Sequence, residues 1–405
     1  MKKNKILLRA LLLVLSMLLL LTGCNDVEPV ETDPPVNEEP ETPTDNDGES
    51  NKKPSSTADR NYVKFKNPWK TEEVTAPDGK TLIIRTVKIN IDGEGDPIEI
   101  FQMSDTHFNA IYTDAAHTEM IDDWNVYGKQ SASLIKGEDA SAVSSWNEWG
   151  DLLHADRETI LPNSHNIANY VRCINYAANA DRIMVTGDIM NYYSNANMDL
   201  MEKYVFNAKT NVNPNMTAKI IALGGNHDAT LPAVSVVDAN KAIHRENQAK
   251  LEALYKKYDQ DLRYYSEVID EKVMIIQMDN AVAYDLAGDT FTVDQKNKLE
   301  ADIAKAHEKG YIILLFYHIP LDTNNTDGGD EFGGYNKFSA VDKAVYNLIT
   351  NNADVIKGCF AGHTHAESNT NIAAKTSDGR RALIPQYVVG AMYSNDGEMV
   401  RIIIE

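Results

Sequence analysis

Five short polar motifs, each set directly after an apolar run, constrain this chain more than any other feature. They are Asp105-Thr106-His107, Gly187-Asp188, Gly225-Asn226-His227-Asp228, an isolated His318, and Gly362-His363-Thr364-His365. The runs before them read as strands. Ile98 to Met103 alternates apolar and polar residues, while Arg182 to Thr186, Lys219 to Leu223, Tyr311 to Tyr317 and Val355 to Ala361 are short and apolar. Ligand sites in open α/β sheets gather outside the carboxyl ends of strands, so five such ends predict one convergent site. Together the motifs offer seven carboxylate, imidazole and amide ligands and no thiolate. That mixture suits manganese, iron or zinc. It is enough for two divalent metals sharing a bridging carboxylate, an arrangement that holds both oxygens of an in-line phosphoryl displacement.

The stretches between the motifs supply the rest of an α/β pattern. Ile167, Tyr170, Val171, Ile174, Ala177 and Ala178 recur at helical spacing, which predicts an amphipathic helix over 166–179. Residues 236–258, 294–308 and 339–350 read as further helices. Thr81 to Ile91 reads as a strand, Tyr264 to Val268 and Val273 to Met278 as a pair turning at Glu271-Lys272, and 383–389 and 399–404 as two strands at the C-terminus. Strands alternating with helices predict α/β layering, with mixed or antiparallel sheet where apolar runs come in pairs. The folded part spans 61–405, and no repeat of fixed period is visible in it. One stretch breaks the alternation. Residues 108–155 carry Tyr112, Trp124, Tyr127, Trp146 and Trp149 among many acidic residues, and read as an insertion that either borders a substrate pocket or packs onto the domain.

The chain opens on an export signal over residues 1–23. Lys2, Lys3, Lys5 and Arg9 form its positive region, and Ala10 to Leu21 is a 12-residue apolar stretch, short for a membrane span. Leu21-Thr22-Gly23-Cys24 resembles a bacterial lipobox, which implies cleavage before Cys24 and lipid attachment there. That places the protein outside the cytoplasm, anchored to the bacterial cell membrane through its lipidated N-terminus. Residues 24–60 are rich in Glu, Asp, Pro and Thr with few large apolar side chains, the composition of a disordered tether. Loss of the signal's four cations takes the formal charge from −21 to −25. Nucleic acid is a poor partner for such a chain, and an anionic substrate needs a local positive centre. Cys173 and Cys359, the two other cysteines, read as small buried hydrophobes.

In its motif order D-x-H, G-D, G-N-H-[DE], H and G-H-x-H, the chain resembles the calcineurin-like metallophosphoesterase superfamily across residues 98 to 366. The resemblance implies a four-layer α/β/β/α sandwich of two mixed sheets flanked by helices. It implies that Asp105, His107 and His365 bind one metal, that Asn226, His318 and His363 bind the other, and that Asp188 bridges them. It further implies hydrolysis of phosphomonoesters or phosphodiesters by a hydroxide between the metals, with His227 assisting the leaving group. One departure concerns the position three residues after the bridging Asp, where many relatives carry an acid that orients the G-N-H imidazole. Here it is Asn191, so Asn191 or Asp228 would support His227. Tyr192 lies one position beyond that of the tyrosine ligand of purple acid phosphatases, which argues against an iron–tyrosinate site. His117, His154, His165, His244 and His307 lie outside the motifs and read as surface or structural. Phosphate-loop, H-E-x-x-H and G-x-S-x-G signatures are absent. The rival reading is a non-catalytic surface lipoprotein that binds a ligand or a cell-wall component.

Overall fold

The structure, a computed structural model, describes residues 69–91, 95–108, 165–191, 193, 195–230, 241–282, 291–321, 339–392 and 396–405. The signal, the tether, most of the 108–155 insertion, His117, His154, Tyr192 and the loop after Leu321 lie outside the described residues. In chain order the elements are β1 Trp69–Thr75, β2 Thr81–Ile89, β3 Ile98–Met103, α1 His165–Tyr176, β4 Arg182–Thr186 and α2 Asn195–Met201. A π-helical turn, Glu202–Phe206, leads into α3 Ala208–Asn211, followed by β5 Lys219–Leu223, the 3-10 turn His227–Ala229 and α4 Lys241–Lys257. The second half holds β6 Tyr264–Ile269, β7 Val273–Met278, α5 Val293–Lys309, β8 Ile312–Phe316 and α6 Ala340–Thr350. It ends with β9 Ile356–Ala361, β10 Ser368–Lys375, β11 Arg381–Val388 and β12 Glu398–Ile404. No helix among the described residues is long and apolar enough to cross a membrane.

The strands form two six-stranded mixed sheets, ordered β1-β2-β12-β3-β4-β5 and β10-β11-β9-β8-β7-β6. Each contains a parallel trio, β3-β4-β5 reaching the edge of the first and β7-β8-β9 inside the second, where β11 extends the parallel run. Strand alternation divides the side chains among three apolar layers. Ile100, Met184, Ile221 and Leu223 of the first sheet meet Ile275, Leu314, Phe316 and Phe360 of the second in a shared core. The opposite face of the first sheet carries Phe101, Ile183, Val185 and Ile220 against Tyr170 and Ile174 of α1 and Leu251 and Tyr255 of α4. Met274, Ile276, Ile313 and Leu315 likewise pack under Leu299 and Ile303 of α5 and Val345 and Ile349 of α6. The result is helix, sheet, sheet, helix: the expected four layers.

Two buried glutamines stitch the sheets together at the carboxyl ends of their parallel trios. Gln102 Nε2 of β3 donates to Ala361 O of β9 (2.8 Å), and Gln277 Nε2 of β7 donates to Ala222 O of β5 (2.6 Å). Most expected elements match to within two or three residues at either end. The sequence reading missed β1, β10 and the α2–α3 region. Among the described residues, β1 is largely exposed and pairs only with β2, and the Asn-rich β10 pairs only with β11. Such edge strands are made by main-chain pairing with a neighbour, which leaves little apolar pattern to read. Cys173 and Cys359 are buried and unbridged.

Candidate metal centre

Beyond the first sheet, the chain leaving β3 keeps pairing with the chain leaving β4. Asp105 N donates to Gly187 O (3.0 Å), His107 N to Asp188 O (2.9 Å) and Phe108 N to Ile189 O (2.6 Å). Asp105, His107 and Asp188 take left-handed backbone there, with φ of 53°, 46° and 46°, and His363 and His365 beyond β9 do the same at 70° and 59°. A non-glycine residue in that region costs about 1–2 kcal/mol, and such strain concentrates where a site demands a particular geometry. The motif glycines have a steric reason. A Cβ at Gly225 would overlap the Asp188 carboxylate, and one at Gly362 would overlap the Ser104 hydroxyl and the Asp105 carboxylate.

The side chains so placed form two groups that share Asp188. Asp105, His107, Asp188 and His365 bring one ligand atom each within 4.8 Å of one another, and so do Asp188, His318 and His363. Asn226 joins the second group, its Oδ1 lying 3.2 Å from His318 Nε2 and 3.1 Å from His363 Nδ1. Ring nitrogens crowd each other: His107 Nε2 is 3.1 Å from His365 Nε2, and His318 Nε2 is 3.3 Å from His363 Nδ1. Asp105 Oδ1 is buried without a hydrogen-bond donor, although a buried carboxylate oxygen ordinarily has one. Lone pairs facing inward around an unsatisfied oxygen are what a cation resolves. The residues therefore fit a pair of metal ions, with mixed imidazole and carboxylate ligands.

Electrostatics point the same way. Asp105 and Asp188 are fully buried, yet among the described residues no lysine or arginine pairs with either. Burial would raise both carboxyls, but the surrounding imidazoles hold both below the usual carboxylate range. Burial alone would push His318 down, whereas Asp188 and Asp105 lift it to about 9. His107 falls to about 3 through burial and the neighbouring His227, and His363 to about 4 through burial and His318. The carboxylates thus favour the charged form of His318, while burial favours the neutral form of His107 and His363, the form able to coordinate.

The chain matches the calcineurin-like phosphoesterase family over residues 98–367, about two thirds of its length. It belongs to that family. This phosphoesterase is accordingly a metal-dependent hydrolase of phosphoric esters. Among solved structures it is similar to a dimetal phosphatase from Danio rerio, 13% identical over 74% of this chain and 89% of that one, at a TM-score of 0.37. The calcineurin-like phosphoesterase YfkN from Bacillus subtilis is 14% identical over 73% and 82%, at 0.34. Likeness of that extent bears on neither substrate nor mechanism. No curated protein matches the chain.

In the phosphoesterase, His227 stands edge-on to His107 with ring centroids 4.9 Å apart. Its Nδ1 donates to the main-chain carbonyl of Asn191 (2.9 Å), while the Asn191 side chain turns to His107, Oδ1 lying 3.2 Å from Nδ1. Asn191 therefore supports His227 through its backbone and not through the amide group on which the sequence reading relied. Asp228 is fully buried and serves the backbone instead of His227. Its oxygens accept from Met190 N and Gly225 N, both at 2.7 Å. Burial and the charge of Asp188 push its carboxyl up to about 7. It braces the loops that present Asp188 and Asn226.

Sequence reasoning missed several residues that set these ligands. Thr186 O accepts from His318 Nδ1 (2.8 Å), which leaves Nε2 to face the second group. Asn280 clamps the His318 turn, its Oδ1 accepting from His318 N (3.1 Å) and Ile319 N (3.0 Å) while Nδ2 donates to Ile319 O (2.7 Å). It follows β7 just as the motif residues follow their strands, so the strand-end pattern carried a signal for it. Asn166 of α1 donates to His107 O (3.0 Å), a contact without a local cue along the chain.

Proposed function

We propose that this phosphoesterase hydrolyses phosphomonoesters or phosphodiesters at a dinuclear centre held by Asp105, His107, Asp188, Asn226, His318, His363 and His365. The observation that carries the reading is Asp188, buried and common to two ligand groups whose members come from both sheets. Bound there, two divalent cations supply Lewis acidity toward the phosphoryl oxygens and an acidified water as nucleophile. Manganese, iron and zinc suit the donors. Asp188 offers one carboxylate to both positions, and Asn226 adds an oxygen without adding charge. His227, its Nδ1 proton committed to Asn191 O, presents Nε2 as the pole able to exchange a proton with a leaving-group oxygen. A small phosphate ester is the fitting substrate, since the acidic chain disfavours nucleic acid.

The decisive experiment is hydrolysis of aryl phosphate monoesters and diesters by the purified protein with manganese, beside Asp188→Ala. Activity confined to the wild type supports the assignment. Equal activity in both rejects it. Outside the described residues, the lipobox supports attachment through Cys24 to the outer face of a bacterial cell membrane. The folded domain would start near residue 61, after the tether, with its insertion at 108–155. Membrane fractionation of wild type and Cys24→Ala tests the anchor, and a variant that remains bound refutes it.

A further inference from the structure

We infer that Asn191 is a positioning residue that fixes two imidazoles of the centre at once: His107 through its side-chain oxygen and His227 through its main-chain carbonyl. The inference rests on the dinuclear phosphoesterase reading and deepens it by naming what sets each ring.

Both contacts are on the Nδ1 side. His227 Nδ1 lies 2.9 Å from Asn191 O, a carbonyl that can only accept, so the proton sits on Nδ1. His107 Nδ1 lies 3.2 Å from Asn191 Oδ1, which again accepts and places the His107 proton on Nδ1. His107 Nε2 is then left with its lone pair toward Asp105, Asp188 and His365, where a cation fits. The opposite amide orientation would put the ring proton on Nε2, aimed into that same space, and would abolish ligation. Ligand imidazoles are ordinarily set in this way by an acceptor on the far nitrogen.

The main chain explains how one residue serves both rings. Asn191 N donates to Phe108 O (2.9 Å), and Phe108 bridges Met190 in parallel, so Asn191 is locked beside the β3 exit. Asn166 holds the same exit from its other side through His107 O (3.0 Å). Because this scaffold is backbone, the carbonyl facing His227 does not depend on which side chain stands at 191. The residue is only 5% exposed, so water is a poor substitute for its amide. Where the family pattern carries an acid for the G-N-H imidazole, this chain has turned the side chain to the neighbouring ligand ring. His227 keeps a neutral carbonyl.

The test compares wild type, Asn191→Leu and Asn191→Asp as full chains. Imidazole nitrogen shifts of metal-free protein labelled at histidine report each tautomer. Asn191→Leu is expected to release His107 from the Nδ1–H form while His227 keeps it, and Asn191→Asp is expected to keep both. In manganese titrations, Asn191→Leu should weaken one of two ions by roughly 10- to 100-fold, and Asn191→Asp should recover it. If Asn191→Leu does not fold by circular dichroism, Asn191→Ser carries the same expectations. A folded variant in which His227 changes tautomer instead of His107, or in which both ions bind as in wild type, overturns the inference alone. A wild type that binds no manganese, iron or zinc removes the dinuclear reading and this inference together.

Discussion

At the amino-terminal ends of β4 and β5, charge is met by opposite charge. Arg182 pairs with Glu267, Lys219 Nζ reaches the same carboxylate at 2.9 Å, and Glu99 pairs with Arg401 nearby. At the carboxyl-terminal ends of the same strands, Asp188 and its neighbour Asp105 are more deeply buried, and among the described residues the only basic side chains paired with them are imidazoles. Two other buried carboxylates each have a guanidinium: Asp279 pairs with Arg263 and Glu398 with Arg85. Asp228 instead accepts main-chain N–H groups and is pushed up to about 7 by burial and the charge of Asp188. An uncompensated buried charge is costly, so its persistence at one end of the sandwich marks the place where a cation belongs. One end of these strands secures the sheets, and the other keeps its charge available for ligands.

The sharpest attempt to break this contrast is Asp188→Ala. Activity should fall by at least about 10³-fold, roughly 4 kcal/mol of barrier. Manganese at 100 times its Kd should stabilise wild type by about 2.7 kcal/mol in thermal unfolding and leave the variant unmoved. Phe360→Ala acts on the layer between the sheets, where Phe360 stacks on Phe316 and Tyr387 at 5.0 and 5.3 Å. It should cost about 3–4 kcal/mol in urea unfolding and weaken manganese binding as well, because ligands from both sheets lose register.

Asn280→Ala acts only on the His318 turn. It should reduce manganese affinity by about tenfold or more, read by titration calorimetry, with a smaller change in unfolding. Glu267→Gln is the far-end control, expected to cost about 1 kcal/mol at pH 7 and to leave manganese affinity unchanged. Its pH dependence has a definite sign. Burial raises the Glu267 carboxyl, but Arg182, Tyr265 and Lys219 outweigh that and hold it at about 2, against 4.5 unperturbed. A depressed carboxyl stabilises fully above its unfolded value and ceases to do so as pH falls toward its folded one. The gap in unfolding energy between wild type and Glu267→Gln should therefore close between about pH 5 and pH 2. A gap that stays constant over that range would show the ion pairs to be unimportant and blur the contrast between the two ends.

Much of the fold was legible because its signals are local. β8 and the centres of β4 and β5 are continuous apolar runs, and α5 and α6 show a helical period with Thr292 and Ser339 as N-caps. The motif residues could be read because each stands at a strand end. β10 was illegible since its Asn-rich sequence pairs through the backbone with β11. Gln102 and Gln277 were illegible too, because a polar residue on an inward strand face looks like a lapse in alternation until the opposing sheet supplies its acceptor.

By itself the sequence determined which donors are present, that they follow strands, and that strands alternate with helices in layers. These are properties of residue type and of periods of two or 3.6, which neighbours along the chain settle. The tertiary structure alone decided that carboxylates arrive only from the first sheet while the second contributes only the imidazoles of His318, His363 and His365. It alone turned the Asn191 side chain to His107 and gave His227 a carbonyl. The reason is distance along the chain. Asp105 and His363 are 258 residues apart, and only the packing of one sheet on the other through a shared apolar core brings the His363 N–H to 2.9 Å from the Asp105 carboxylate.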